Sequence, residues 1–266
     1  MIDYHVHTVR CCHATGSMEE YMAEAAQKGL QEIGFADHFP LELLDFTPET
    51  PVTMSAGELT VYLSDVLKLR ERSAVPVRLG VEVDYLPGRE ALTEKLLARY
   101  PLDYCIGSIH FLEGWDFTHP RFVEYYRTFD VDKLYRRYFQ TLQDMAESGL
   151  FDIVGHLDVV KKYAFFPQQD WDDLLRETCG VLAKSGICVE LNTAGWRAPV
   201  KEAYPSEAFL RECFRLGVPV TLGSDAHCPK DVGAGLEKAV SLLKSLGFTS
   251  VTAFASRRRT SLALGD

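Results

Sequence analysis

The sequence predicts an α/β fold in which parallel strands close into a barrel, with an open doubly wound sheet as the alternative. Three observations carry this. Short β-rich runs alternate with amphipathic helical segments along most of the 266 residues. Most of those runs are apolar on both faces, as expected for a parallel sheet covered by helices. Histidines and carboxylates recur at the C-terminal ends of the runs, the face on which barrels of this kind carry their active sites.

The strands are read at 2–6, 32–38, 77–83, 104–110, 151–157, 187–193 and 218–227, with 251–255 as a weaker candidate. Between them, 18–29 opens on Ser17 and Glu20 in capping-box spacing, then places Tyr21, Met22, Ala25 and Ala26 on one face. Residues 56–70 open the same way, on Ser55 and Glu58. Residues 132–147 carry Leu134, Tyr135, Tyr138, Phe139, Leu142 and Met145 at helical spacing. Helices at 171–185, 206–216 and 235–246 follow, and "KSG" stops the first of them. No low-complexity linker divides the chain, so residues 1–266 read as one domain. The stretch 111–131 is too long and aromatic for a simple βα turn and reads as an ordered insertion, a candidate lid.

Bulk composition excludes several classes. A net charge of −10 argues against sequence-independent nucleic-acid binding, and would repel a phosphorylated metabolite unless the site carries compensating positive charge. No run approaches the length of a membrane helix, and the N-terminus lacks the pattern of an export signal, so a cytoplasmic location is the default expectation. The seven cysteines, Cys11 and Cys12 among them, show no C-x-x-C spacing and read as reduced thiols beside or within the core.

His5 and His7 end the first strand and His13 follows it. Asp37 and His38 end the second, Glu82 lies near the end of the third, His110 ends the fourth, His156 the fifth, and Asp225 and His227 the seventh. On an extended chain i and i+2 side chains share a face, so H-x-H and D-x-H each aim two donors at one point. A lone strand-end histidine is usually a hydrogen-bonded polar residue. Seven converging on one barrel face would leave many imidazole nitrogens competing for partners, which points to a polynuclear metal site of zinc, iron or manganese.

The ordered motifs "HVHT", "ADH", "GVEVDY", "IGSIHF", "GHLD", "ELNT" and "GSDAH" resemble the PHP (polymerase and histidinol phosphatase) superfamily. "GHLDVVKKY" and "ELNTAGWR" are similar to its stand-alone histidinol-phosphatase branch. The resemblance implies a distorted, TIM-like barrel of seven β/α units holding three divalent ions. Carried over position by position, His5, His7, Glu82 and Asp225 hold the first ion. Glu82 bridges to a second, completed by His110 and His156, and His13, His38 and His227 bind the third. Three such ions would bring a charge of about +6 to a pocket with two carboxylate ligands, an anion trap on an acidic protein. The implied reaction is hydrolysis of L-histidinol phosphate, a step of histidine biosynthesis, by direct attack of metal-bridging hydroxide on phosphorus.

Cationic side chains are expected to complete the grip on phosphate, Arg197 first and Lys161 or Lys162 second. Asp37 is a candidate proton donor to the leaving alkoxide or a residue supporting the ligands, and Asp84 or Asp158 could serve likewise. His119 is the leftover histidine, read as a loop residue, and Glu113 or Asp116 could meet the substrate's ammonium group. No G-x-S-x-G elbow, Walker loop or G-x-G-x-x-G is present. The competing readings are an amidohydrolase-type C–N hydrolase, a PHP phosphatase for another phosphomonoester, phosphotyrosine or a nucleic-acid 3′ end, and a non-catalytic metal-binding scaffold. A strand-end glutamate where amidohydrolases place a modified lysine disfavours the first, and the full ligand set disfavours the last.

Overall fold

Strand pairing follows chain order. The computed structural model of the chain describes residues 1–265. Strands β1 (Ile2–Val6), β2 (Glu32–His38), β3 (Val77–Asp84) and β4 (Tyr104–Ser108) pair in parallel, each with the next. The chain then makes a small hairpin, β5 (Phe111–Leu112) and β6 (Trp115–Asp116), before resuming with β7 (Ile153–Val154), β8 (Cys188–Asn192) and β9 (Val220–Gly223). The seven-stranded order is β1-β2-β3-β4-β7-β8-β9. A parallel bridge between Val6 and Ala226, with His7 N donating to Ala226 O at 3.0 Å, brings the last strand's extension back to the first. The result is a nearly closed parallel barrel of seven β/α units, as the sequence predicts.

Helices α1 (Met18–Gln27), α2 (Ala56–Arg72), α3 (Glu90–Leu97), α4 (Val131–Glu147), α5 (Asp172–Ser185), α6 (Glu207–Leu216) and α7 (Leu236–Leu246) coat the barrel. The capping boxes at Ser17/Glu20 and Ser55/Glu58 both form, and Gly186 closes α5 in the left-handed conformation. Helix α3 is absent from the sequence reading; it is short, and Arg89 at its start makes no side-chain cap. The 251–255 segment forms β10 (Ser250–Ala255), which stays outside the barrel sheet and pairs antiparallel with β11 (Arg258–Ala263). No helix among the described residues is long and apolar enough to cross a membrane.

An aromatic cluster fills the barrel floor. Tyr104 is buried, donates from its hydroxyl to Tyr4 O at 2.6 Å, and stacks on Tyr4 at 5.0 Å, with Phe254 of β10 beside both. The ring occupies the space that side chains would take at Gly34 and Gly80, where an added Cβ would fall 2.1 Å and 2.4 Å from Tyr104 atoms.

The packing predicts opposite signs for two Gly→Ala substitutions. Gly80→Ala forces atoms into Tyr104 and should destabilise by about 1–3 kcal/mol. Gly180→Ala, at an open position in α5, should stabilise by roughly 0.5–1 kcal/mol. Urea unfolding of the two variants checks the pair; a neutral Gly80→Ala contradicts the tight floor.

Candidate metal centre

The barrel register converges on Glu82. This carboxylate is 2% exposed and five imidazoles surround it. His156 Nε2 lies 2.9 Å and His110 Nε2 3.5 Å from Oε1. His38 Nδ1, His5 Nε2 and His7 Nε2 lie 3.0, 3.3 and 3.5 Å from Oε2. Asp225 faces the same group, with Oδ1 3.3 Å from His7 Nε2 and 3.4 Å from His227 Nδ1. The rings of His13 and His227 stack at 4.6 Å, and that of His38 lies 5.4 Å from His13. All nine residues singled out as ligands in the sequence therefore meet at one end of the barrel.

Outer partners fix how the rings face. His5 Nδ1 donates to Glu190 Oε1 at 2.7 Å, His110 Nδ1 to Asp84 Oδ1 at 2.9 Å, and His13 Nδ1 to Cys11 O at 2.7 Å. A neutral ring with Nδ1 donating presents a bare lone pair at Nε2. His5 Nε2 then faces two carboxylates, a repulsive arrangement unless a positive charge lies between them. Among buried atoms in no hydrogen bond are His5 Nε2, both ring nitrogens of His7, Glu82 Oε2 and His227 Nε2. Donor atoms such as those of the trios His7–His38–His227 and His5–His7–Asp225 all lie within 4.8 Å of one another. Two ligands at about 2.1 Å from a tetrahedral ion are roughly 3.4 Å apart, so the residues present fit divalent ions.

Without an ion, the carboxylates and three of the imidazoles are poised in the ligating form, whereas surrounding carboxylates outweigh burial and push His5, His7 and His110 up toward the protonated form. Burial works against ionising Glu82, yet His38, His5 and His110 outweigh it and hold the carboxyl well below the usual range. Asp225 is likewise driven well down, burial being outweighed by His5, His7 and His227. Burial and neighbouring imidazoles push His38, His13 and His227 down, toward the neutral form that can coordinate. Burial opposes charge on His7 and His110 too, but adjacent carboxylates raise each to about 9. His156 and Asp225 both hold positive φ, at 24° and 54°, backbone strain of the kind that collects at functional sites.

The cluster opens on a cavity of about 490 Å³. Arg197 lines it and is held by Ser224 O at 2.6 Å. Lys162 lines it as well, its Nζ donating to Thr118 O at 2.9 Å. Lys161, the other lysine named as a candidate substrate contact, is placed elsewhere. It is 2% exposed, outside the cavity lining, and paired with Asp158 at 2.9 Å and Glu202 at 3.0 Å. The 3-10 turn at Val159–Lys161 turns the two lysines apart, so that Lys162 and not Lys161 faces the cavity. Asp37 is likewise placed away from the cavity. It is fully buried behind His7, with Oδ1 3.5 Å from His7 Nδ1, and accepts from the Thr8 hydroxyl and His38 N. It does not line the cavity, where a proton donor to a leaving group would stand.

The insertion supplies the outer wall. Asp116, Thr118 and His119 line the cavity, while Glu113 is exposed. Trp115 stacks on Phe129 at 4.7 Å and meets Tyr126 edge-on, giving the insertion its own aromatic packing. Cys11 is buried, Cys12 is exposed, and burial pushes the Cys11 thiol up. The sequence reading missed Glu190; it lies inside "ELNT", whose i, i+2 polar pair was the available signal.

A family model described as the PHP domain matches residues 3–194. A Deinococcus radiodurans protein named "probable histidinol-phosphatase" is 39% identical over 254 residues, covering 95% of this chain and 96% of that protein. The Bacillus subtilis histidinol-phosphatase is 29% identical over 88% of this chain and 96% of its own length. A crystal structure of the Lactococcus lactis histidinol phosphate phosphatase, complexed with zinc, L-histidinol and phosphate, matches the fold with a TM-score of 0.84. It shares 22% identity and covers 97% of this chain and 98% of that one.

The orphaned donors predict that divalent ions stabilise the fold. Adding manganese or zinc to metal-free protein at about 100 times Kd should raise stability by about 2.7 kcal/mol, read as a higher unfolding temperature. An unchanged unfolding temperature contradicts the site.

Proposed function

The chain belongs to the PHP domain family, and from that membership we propose that it is a metal-dependent phosphomonoesterase hydrolysing L-histidinol phosphate to L-histidinol and phosphate. The observation that carries the proposal is the buried Glu82 ringed by imidazoles at the floor of a cavity whose wall holds Arg197 and Lys162. The histidinol-phosphatase relatives named above support the substrate.

Three ions of zinc, iron or manganese would be held by His5, His7, Glu82 and Asp225, by Glu82, His110 and His156, and by His13, His38 and His227. Such ions supply a water acidic enough to attack near neutral pH and neutralise phosphoryl oxygens. The chain's own residues do the rest. Arg197 offers a guanidinium fork and Lys162 a compact ammonium to the phosphoryl group entering from the cavity. Asp84, Glu190 and Asp37 hold His110, His5 and His7 in orientation from behind. The 111–131 insertion acts as a lid within a single domain of residues 1–266, its Asp116–His119 segment excluding water from the leaving group's side.

Phosphate release from histidinol phosphate, measured beside a panel of other phosphomonoesters after metal reconstitution, tests the proposal. A preference of at least ~100-fold, about 2.7 kcal/mol, is expected; inactivity on the whole panel contradicts it. The two adjacent lysines should separate cleanly. Lys162→Met should raise KM about tenfold or more with little change in stability. Lys161→Met, which strands buried Asp158, should cost about 3–5 kcal/mol in stability. Kinetics and denaturation of both variants decide it, and the reverse pattern contradicts the assignment.

A further inference from the structure

Strand β8 carries no histidine, yet two of its buried side chains reach the cluster. Glu190 Oε1 accepts from His5 Nδ1 at 2.7 Å. Its Oε2 accepts from the main-chain N–H of His156 at 2.8 Å and from Asn192 Nδ2 at 3.0 Å. Asn192 Nδ2 also lies 3.3 Å from Asp225 Oδ2. The two residues are i, i+2 on an extended strand and so share the interior face. Gly223 on β9 keeps the space open: a Cβ there would fall 1.9 Å from Glu190 Oε1 and 2.7 Å from His5 Cβ.

Glu190 does not line the cavity, so its effect runs through other residues. The two it holds stand on opposite oxygens of Glu82, His5 at Oε2 and His156 at Oε1. Accepting from His5 Nδ1 turns the Nε2 lone pair toward Glu82 and Asp225. Accepting from the His156 N–H secures a main chain at φ 24°, a conformation rare outside glycine, which presents that imidazole to the other oxygen. Asn192 extends the brace to Asp225.

We infer that Glu190, seconded by Asn192, is a positioning residue that preforms the ion sites on both sides of Glu82, so that the two ions bind as a unit. This rests on the metal-holding part of the function proposed above. An acceptor on the far nitrogen of a ligating histidine fixes its tautomer and raises its basicity, and losing one typically weakens metal affinity 10–100-fold. Here one carboxylate serves two ligands at once.

Glu190→Gln is the direct test, because an amide offers one acceptor oxygen where His5 and His156 aim N–H groups at two. Metal-free wild type and variant are titrated with cobalt(II), following heat and the visible spectrum, with circular dichroism of the metal-free forms alongside. The variant should keep its dichroism and bind both ions beside Glu82 about 10–100-fold more weakly. Unchanged affinities, or weakening confined to one of the two ions, overturn the inference. A merely structural role would lower metal-free stability and leave the affinities alone. Should Glu190→Gln fail to fold, Asn192→Ala carries the test: several-fold weaker binding supports the brace, and wild-type affinity overturns it. A wild type that takes up no ion overturns the proposed function instead.

Discussion

The organising constraint is the burial of one carboxylate. A buried, unpaired Glu82 would carry a desolvation cost that few domains could bear. It is surrounded by imidazoles from four other strand ends, with ring nitrogens within about 3 Å of each carboxylate oxygen. Those imidazoles solve one problem and create another, since several of their nitrogens are left buried without partners. A positive charge at the centre satisfies both requirements. With divalent ions bound, the same cluster would give a chain of net charge −10 a pocket that attracts a phosphoryl group.

Everything else about the fold serves to place those side chains. Parallel strands in chain order bring their C-terminal ends to one face, and the Val6–Ala226 bridge sets His5 and His7 beside Asp225 across more than 200 residues of chain. At the opposite end the barrel is filled by Tyr4, Tyr104 and Phe254, with glycines on β2 and β3 admitting the Tyr104 ring. Apolar packing thus anchors the floor, leaving the mouth free to hold strained and charged residues. Such residues cost stability locally and are tolerated because the barrel around them is overdetermined.

Much of this was legible in the sequence. The strand ends located the clustered histidines and carboxylates, since parallel strands bring their C-terminal ends to one face of a barrel, and the resemblance to the PHP superfamily proposed which of them are ligands. Capping boxes located α1 and α2. The limits have physical causes as well. Lys161 and Lys162 are adjacent, and only the 3-10 turn decides which faces the cavity and which is locked between Asp158 and Glu202. Asp37 looked like a candidate acid because it neighbours His38; its depth behind His7 depends on how β2 packs on Thr8. Glu190 was overlooked because its strand ends on no ligand, and a brace is visible only once His5 and His156 lie on either side of it. Helix α3 lacked a capping signal.

We propose that Glu82 joins two ion sites into one centre. Anomalous-diffraction crystallography of the chain reconstituted with manganese or zinc measures this most directly. The account predicts one metal peak within coordination distance of each oxygen of Glu82, and a further peak among His13, His38 and His227. Peaks that leave either Glu82 oxygen uncoordinated would contradict it.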